Sequence, residues 1–207
     1  MARKAGSVSG DTKIRLMQVA ANEFATKGFQ DSSLRRICND AGVTTGALYF
    51  FFQNKDDLFK ELILSIANPI EDFMINHFKT ESNFWEKSLE DNEKDDIQEM
   101  CHFLCICYKN KSICDVLLNN RSHSVVYDFI NKLVQITTEH YLKIIKEVSK
   151  IKPRKFPIDE FAIHWFAHQE VEMAIGLITH NKTYEEAVSH VAPLVHMMER
   201  SFLGLID

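Results

Sequence analysis

The sequence predicts an all-α protein, with a three-helix helix-turn-helix domain at the N-terminus and a larger helical domain behind it. Three observations carry this. Seven Gly and four Pro in 207 residues are too few to punctuate the many tight turns of a sheet protein. Apolar residues recur at the three- and four-residue intervals of a helix face over long stretches. Near the start, two short helical segments are joined by Ala41-Gly42-Val43, a turn where glycine supplies the positive φ that other residues adopt only with strain.

Taken in order, Ile14, Met17, Ala21 and Phe24 mark the inward face of a first helix from Asp11 to Lys27, which Gly28 stops. A second helix runs from Ser33 to Asp40, capped by Ser32, with Leu34, Ile37 and Ala41 inward. Thr44 caps a third, running to Phe51. Asn54, with Asp57 three residues later, caps a long fourth helix whose apolar positions Leu58, Leu62, Ile66, Ile70 and Phe73 keep helical spacing through Pro69. The missing amide there predicts a kink, not a stop. From Thr80 to Lys94 the periodicity fades, which predicts a loop with a helical turn around Trp85 to Leu89.

Helices are then predicted from Asp95 to Lys109, Ser112 to Asn119 and Ser124 to Lys150. The last carries Val126, Ile130, Leu133, Thr137, Tyr141, Ile144 and Val148 on one stripe. The proline-bearing segment Lys152 to Pro157 is a linker. Two final helices follow, Asp159 to Thr179 and Thr183 to Leu205; the second opens on a Thr183/Glu186 capping box and bends at Pro193. The expected domains are residues 1–55 and 56–207.

Composition narrows the function. With 45% hydrophobic and 26% charged residues the chain has an ordinary globular balance. It has no run of eighteen apolar residues and no apolar leader, so a cytoplasmic protein without membrane contact is expected. Five cysteines, Cys38, Cys101, Cys105, Cys107 and Cys114, are odd in number and lack a C-x-x-C pair, which disfavours a disulfide framework and a structural zinc site. The net charge of −5 is unevenly spread. Met1 to Lys60 holds nine Lys and Arg against six Asp and Glu, a net +3, so the remainder carries −8. A basic segment on an acidic body fits a nucleic-acid reader whose other domain touches no phosphate.

A helix-turn-helix lays its first helix across the DNA backbone and brings the N-terminal end of the second to base edges in the major groove. Packing of Ile37, Val43 and Leu48 would leave Thr44, Thr45, Gly46 and Tyr49 facing outward, small or hydroxyl-bearing residues suited to close approach. The ordered run Gly28-Phe29, Ser32 to Ile37, Ala41 to Tyr49, Phe52 and Lys55 to Leu58 resembles the N-terminal signature of the TetR family of bacterial transcriptional regulators. That resemblance implies an all-helical homodimer in which three N-terminal helices bind a double-stranded DNA operator and the C-terminal helices bind a small-molecule effector and dimerise. Carried over by residue, it implies phosphate or base contacts from Ser32, Ser33 and Arg35, a reading edge at Thr44, Thr45 and Gly46, and phosphate bonds from Tyr49 and Lys55. The family commonly has His or Tyr where this chain has Phe50 and Phe51. Phe50 is then either a contact to a thymine methyl group or additional packing.

Behind the reading head, Phe103, Cys107, Phe129, Trp165, Phe166 and Met173 either line an apolar ligand pocket or fill a helical core. Phe161, Trp165, Val191, Leu194, Met198 and Phe202 suit a four-helix dimer interface. His164, His168 and Glu172 share a stripe that could meet a metal, but a complete site would need further ligands; a polar strip at the edge of a dimer interface is the expected reading, and no metal or other cofactor is expected. Cys101 and Cys105 share a face without a cationic neighbour to activate a thiol, so core packing is the expected role. No nucleophile and base pair is recognisable, so the chain is expected not to be an enzyme. The expected function is a homodimeric repressor released from its operator by a small ligand; the alternative is a DNA-binding protein whose C-terminal domain binds a protein partner instead.

Overall fold

The computed structural model describes residues 10–80, 88–151 and 159–206, without the side chains of residues 80, 89, 151 and 206. All regular structure among them is α-helical: α1 (Gly10–Asp31), α2 (Leu34–Asp40), α3 (Thr45–Phe51), α4 (Lys55–Thr80), α5 (Leu89–Lys109), α6 (Lys111–Asn119), α7 (Ser124–Ile151), α8 (Glu160–His180), α9 (Tyr184–Ser189) and α10 (Val191–Ile206). Residues 81–87 of the expected loop and the linker from Lys152 to Pro157 fall outside the described residues.

The chain forms two compact units, the first taking residues up to Ile66 together with Lys111–Val126, the second Ala67–Asn110 with Tyr127–Asp207. In the first, α1 packs on α6, α2 and α3. Its core is made by Leu16, Ala20 and Phe24 of α1, Ile37 of α2, Leu48 of α3, and Leu58, Phe59, Leu62 and Ile63 of α4, all removed from solvent. Each such large side chain contributes about 1.5–3 kcal/mol by leaving water. The α1 stripe differs from the expected one. Ile14 is exposed and Met17 half-buried, while Leu16, Ala20 and Glu23 turn inward with Ala21 and Phe24, because α1 is covered from more than one side. Gly28, at φ 72° and ψ 172°, kinks α1 without ending it; a further turn carries the chain to Asp31.

In the second unit α5, α8, α9 and α10 pack on one another. Ile144, Ile145 and Val148 of α7 meet Ile163, Phe166 and Phe202 in a shared core. Pro69 lies inside α4, which continues to Thr80 as its apolar spacing predicts. Two other boundaries depart from expectation. The fifth helix begins at Leu89, six residues before Asp95, because the Ser88 hydroxyl accepts the Asp91 amide (3.1 Å) and Glu90 and Asp91 complement the helix start. The last expected helix is two: the Thr183/Glu186 capping box opens α9 as expected, but the helix breaks at His190. The Pro193 ring clashes with a carbonyl four residues back, at Ser189, so the break precedes the proline instead of falling on it.

Candidate nucleic-acid interface and the C-terminal cavity

The turn between α2 and α3 is built from the backbone. The Gly42 amide donates to Asn39 O (3.0 Å) and the Val43 amide to Cys38 O (2.9 Å), with Gly42 at φ 64°. Thr44, in extended conformation, caps α3 by accepting the Ala47 amide on Oγ1 (3.2 Å), and its carbonyl accepts the Leu48 amide (3.3 Å). Leu48 is the inward anchor. The other faces of α3 present Thr45, Gly46, Tyr49 and Phe50 to solvent, with Phe50 69% exposed. A Cβ at Gly46 would meet only Thr44 Oγ1, at 3.8 Å, an ordinary contact. Nothing inside the protein therefore requires glycine at 46; its bareness is a property of the outer surface.

The remaining expected contact residues divide. Arg35 is exposed. Ser33, not Ser32, caps α2, its Oγ accepting the Arg36 amide (3.4 Å). Ser32 is buried and its hydroxyl donates to Phe29 O (2.7 Å), so it braces the end of α1 and does not face a phosphate. Lys55 Nζ donates to Gln30 O (2.9 Å) and Ser32 O (3.2 Å) and lies 4.7 Å from the Phe29 ring centroid. Two of its three N–H groups are thus spent on the protein's own backbone.

Two features of this unit had only a faint sequence signal. Glu23 sits in the buried stripe of α1, where Oε1 accepts the Ser33 amide (3.2 Å) and Oε2 lies 3.7 Å from Arg36 Nη1, so one carboxylate ties α1 to the start of α2. Its signal is a charge among apolar residues at helical spacing. Phe29, Phe59 and His123 cluster in edge-on and tilted contacts with centroids 4.4–5.0 Å apart, and Asn120 Oδ1 accepts the Phe29 amide (3.1 Å). These pairs lie too far apart in sequence for periodicity to reveal.

The second unit encloses a cavity of about 150 Å³. Phe73, Met74, His77 and Phe78 of α4 line it, with Asp96, Glu99, Met100 and Phe103 of α5, Thr137, His140 and Tyr141 of α7, Glu170 and Met173 of α8, and Met198, Glu199 and Phe202 of α10. Of the ligand residues expected from sequence, Phe103 and Met173 reach the wall. Cys107 and Phe129 are buried away from it, Phe166 belongs to the core with Phe202, and Trp165 is 56% exposed. Of the expected interface residues, Phe161 (74% exposed) and Trp165 face outward. Val191 and Phe202 are buried within the protomer, Met198 lines the cavity, and Leu194 is half-buried. The apolar side of α10 completes the protomer's own interior.

Burial raises the thiol pKa of Cys38 and Cys101, opposite to what a reactive thiolate needs. Among the described residues no three His, Cys, Asp or Glu side chains gather as a metal site would, and no helix is long and apolar enough to cross a membrane.

Glu199 is the perturbed group of the cavity. Burial, and then the neighbouring Glu93 charge, push its carboxyl up to about 7, against opposing contributions from Arg200, His196 and a hydrogen bond with Asp96. The folded protein therefore holds this proton more tightly than the unfolded chain, whose carboxyl titrates near 4.5. Stability is lost as pH rises through that window. Glu199→Gln has no such proton to lose. Its stability relative to wild type should thus improve by about 3 kcal/mol between roughly pH 4.5 and pH 7.5. Urea unfolding across pH measures this; a pH-independent difference would remove the assignment.

Residues 16–62, from α1 into α4, match the family model described as "Bacterial regulatory proteins, tetR family". The chain is 42% identical over 60 residues to the helix-turn-helix-type transcriptional regulator YdgC of Bacillus subtilis, covering 29% of this chain and 31% of YdgC. It is 33% identical over 73 residues to the helix-turn-helix-type transcriptional repressor BepR of Brucella suis, covering 35% of each. The matched part thus spans about a third of these curated relatives. The fold is shared far more widely: a TetR-family transcriptional regulator from Bordetella parapertussis superposes with a TM-score of 0.66 over 90% of this chain and 95% of that one, at 14% identity. The capped α3 and its turn glycine lie inside the matched residues, so the N-terminal helices of this chain are those of the TetR family of bacterial regulatory proteins, carried on a helical fold shared along nearly the whole length.

Proposed function

We propose that the protein is a homodimeric DNA-binding transcriptional repressor, acting in the cytoplasm, which a small-molecule ligand releases from its operator. The observation that carries the DNA-binding reading is the outward surface of α3. Thr45, Gly46, Tyr49 and Phe50 are exposed beside a Thr44-capped helix start, and the packing inside accounts for none of them. Hydroxyls and an exposed aromatic ring at the N-terminal end of a recognition helix suit phosphate and base contacts in the major groove. A dimer would present two such helices about 34 Å apart, or a multiple of that, to a pseudo-palindrome. Repression follows the name of BepR. The aromatic and methionine walls of the cavity suit a ligand better than a protein partner, which would need a surface. A ligand acts on DNA binding only through different affinity for two states of the dimer.

Gel-shift titration against fragments of the host genome, the protein's own upstream region first, tests the reading. Binding should be sequence-selective and fall steeply with salt; loss of all selectivity at every fragment would end it. Gly46→Ala separates surface from fold. It should leave stability unchanged or raise it by about 0.5–1 kcal/mol, since alanine is the better helix former. Operator affinity should nevertheless fall about tenfold, because the added methyl stands where the groove approaches. Unchanged affinity would move the reading edge elsewhere on α3.

A further inference from the structure

The geometry points to a lipophilic monocation, an ammonium-type head on an apolar body, as the ligand of the C-terminal cavity, with Glu199 as the carboxylate that receives the charge. This rests on the reading of that cavity as the effector site. Four carboxyl groups line it, those of Asp96, Glu99, Glu170 and Glu199, and no Lys or Arg does. An anionic ligand would enter against all of them. Three are engaged within the protein: Glu170 Oε2 accepts the Tyr141 hydroxyl (2.6 Å), Glu99 lies 3.8 Å from His77 Nδ1, and Asp96 shares a hydrogen bond with Glu199.

Glu199 shares that bond but keeps an oxygen unused. It is only 8% exposed, yet its Oε1 is buried with no hydrogen-bond partner, and the fully buried Thr137 Oγ1 in the cavity lining is likewise unpartnered. A buried polar atom left unpaired is costly, and retaining two of them among the residues lining one cavity marks a place where a ligand supplies the missing partner. The nearby cations do not serve: Arg200 and His196 are exposed on α10, and His196 is held by Glu93 (3.1 Å). Around the carboxyl the walls are rings and thioethers. Phe73, Phe78, Tyr141 and Phe202 offer faces that attract a cation, and Met74, Met100, Met173 and Met198 can adjust to an irregular apolar body. Metal ions are poorly served, because no three ligating side chains converge among the described residues. A neutral polar ligand would leave most of the apolar wall without a complement.

Three small probes of similar size test this on the full-length protein: benzyltrimethylammonium, its uncharged carbon isostere neopentylbenzene, and phenylmethanesulfonate. Calorimetric titration should show the cation binding at least about tenfold more tightly than neopentylbenzene, with no measurable binding of the sulfonate. Glu199→Gln keeps the side-chain volume and removes the charge. It should weaken the cation by about tenfold and leave neopentylbenzene within about a factor of two. Equal affinity for cation and isostere, no binding of the cation, or unchanged cation affinity in Glu199→Gln each overturns the assignment. Operator release is measured separately on the wild type by gel shift. Cation binding through Glu199 that leaves the DNA complex intact keeps the cation site and removes the effector reading. Release by the isostere or the sulfonate, without cation binding, does the reverse.

Discussion

Phe59→Ala is expected to lower the stability of the DNA-reading unit by about 3–5 kcal/mol, the usual range for deleting a fully buried aromatic ring. Phe59 is completely buried and is shared by three segments. Its ring meets Phe24 edge-on at 5.1 Å, Phe29 at 5.0 Å and the His123 imidazole at 4.4 Å. Phe29 follows the Gly28 kink, and Lys55 and Asn120 hold it through cation–π and backbone contacts. His123 in turn reaches Asp56 through Nε2 (3.2 Å). Removing the central ring leaves a cavity lined by stiff aromatic neighbours that cannot easily collapse, which places the expected loss high in the range. It also loosens the end of α1 against which Ser32 and Glu23 set α2, so operator affinity should fall with stability. Phe50→Ala is the complementary variant. Its ring is exposed, so stability should move by less than about 0.5 kcal/mol, and any lost operator affinity belongs to the surface. Urea unfolding followed by gel shift separates the two; a Phe59→Ala loss below about 1 kcal/mol would show that the cluster is not the keystone of this unit.

The reading head was legible in the sequence because its determinants are local. Thr44 caps within three residues, Gly42 needs its positive φ whatever surrounds it, and Asn54 with Asp57 starts α4 through their own bonds (Asp57 amide to Asn54 Oδ1, 2.9 Å). Where sequence and structure differ, the missing information is tertiary. Apolar spacing identifies an inward face but not how many neighbours cover a helix, so it points Ile14 inward and gives no place to the buried Glu23. The same limit hid the cavity. Interior residues look alike in sequence whether the space beside them is filled, as at Phe166, or open, as at Phe103. Glu199 did have a signal: a carboxylate four residues after Val195 and three before Phe202, on the inward stripe of α10. Such charges are rarely buried without a partner, and this one lies beside the cavity.

Trp165→Glu is expected to dissociate the proposed dimer and, with it, operator binding. On α8, Phe161 and Trp165 stand four residues apart on the outward side, 74% and 56% exposed, and α10 adds Met197, also exposed. On the same helix the rings of His164 and His168 meet edge-on at 4.8 Å. Isolated exposed apolar residues are ordinary, but two large aromatic rings one helical turn apart are the type of anchor that dominates interface energetics. Each ring can bury about 150–250 Å² against a partner, a substantial part of the roughly 800 Å² per protomer of a standard interface. A glutamate at the centre would have to be desolvated without a countercharge, so the dimer dissociation constant should rise about a hundredfold or more. Operator affinity should fall by a similar or larger factor, because a monomer engages one half-site and loses the effective concentration that links the two. Phe161→Glu, nearer the start of α8, should act in the same direction more weakly. Buried Val191 and Phe202 provide the contrast: their truncation should lower protomer stability without first separating protomers. Sedimentation equilibrium at micromolar concentration decides the matter, and a Trp165→Glu protein that remains dimeric there would place the interface on another face of the second unit.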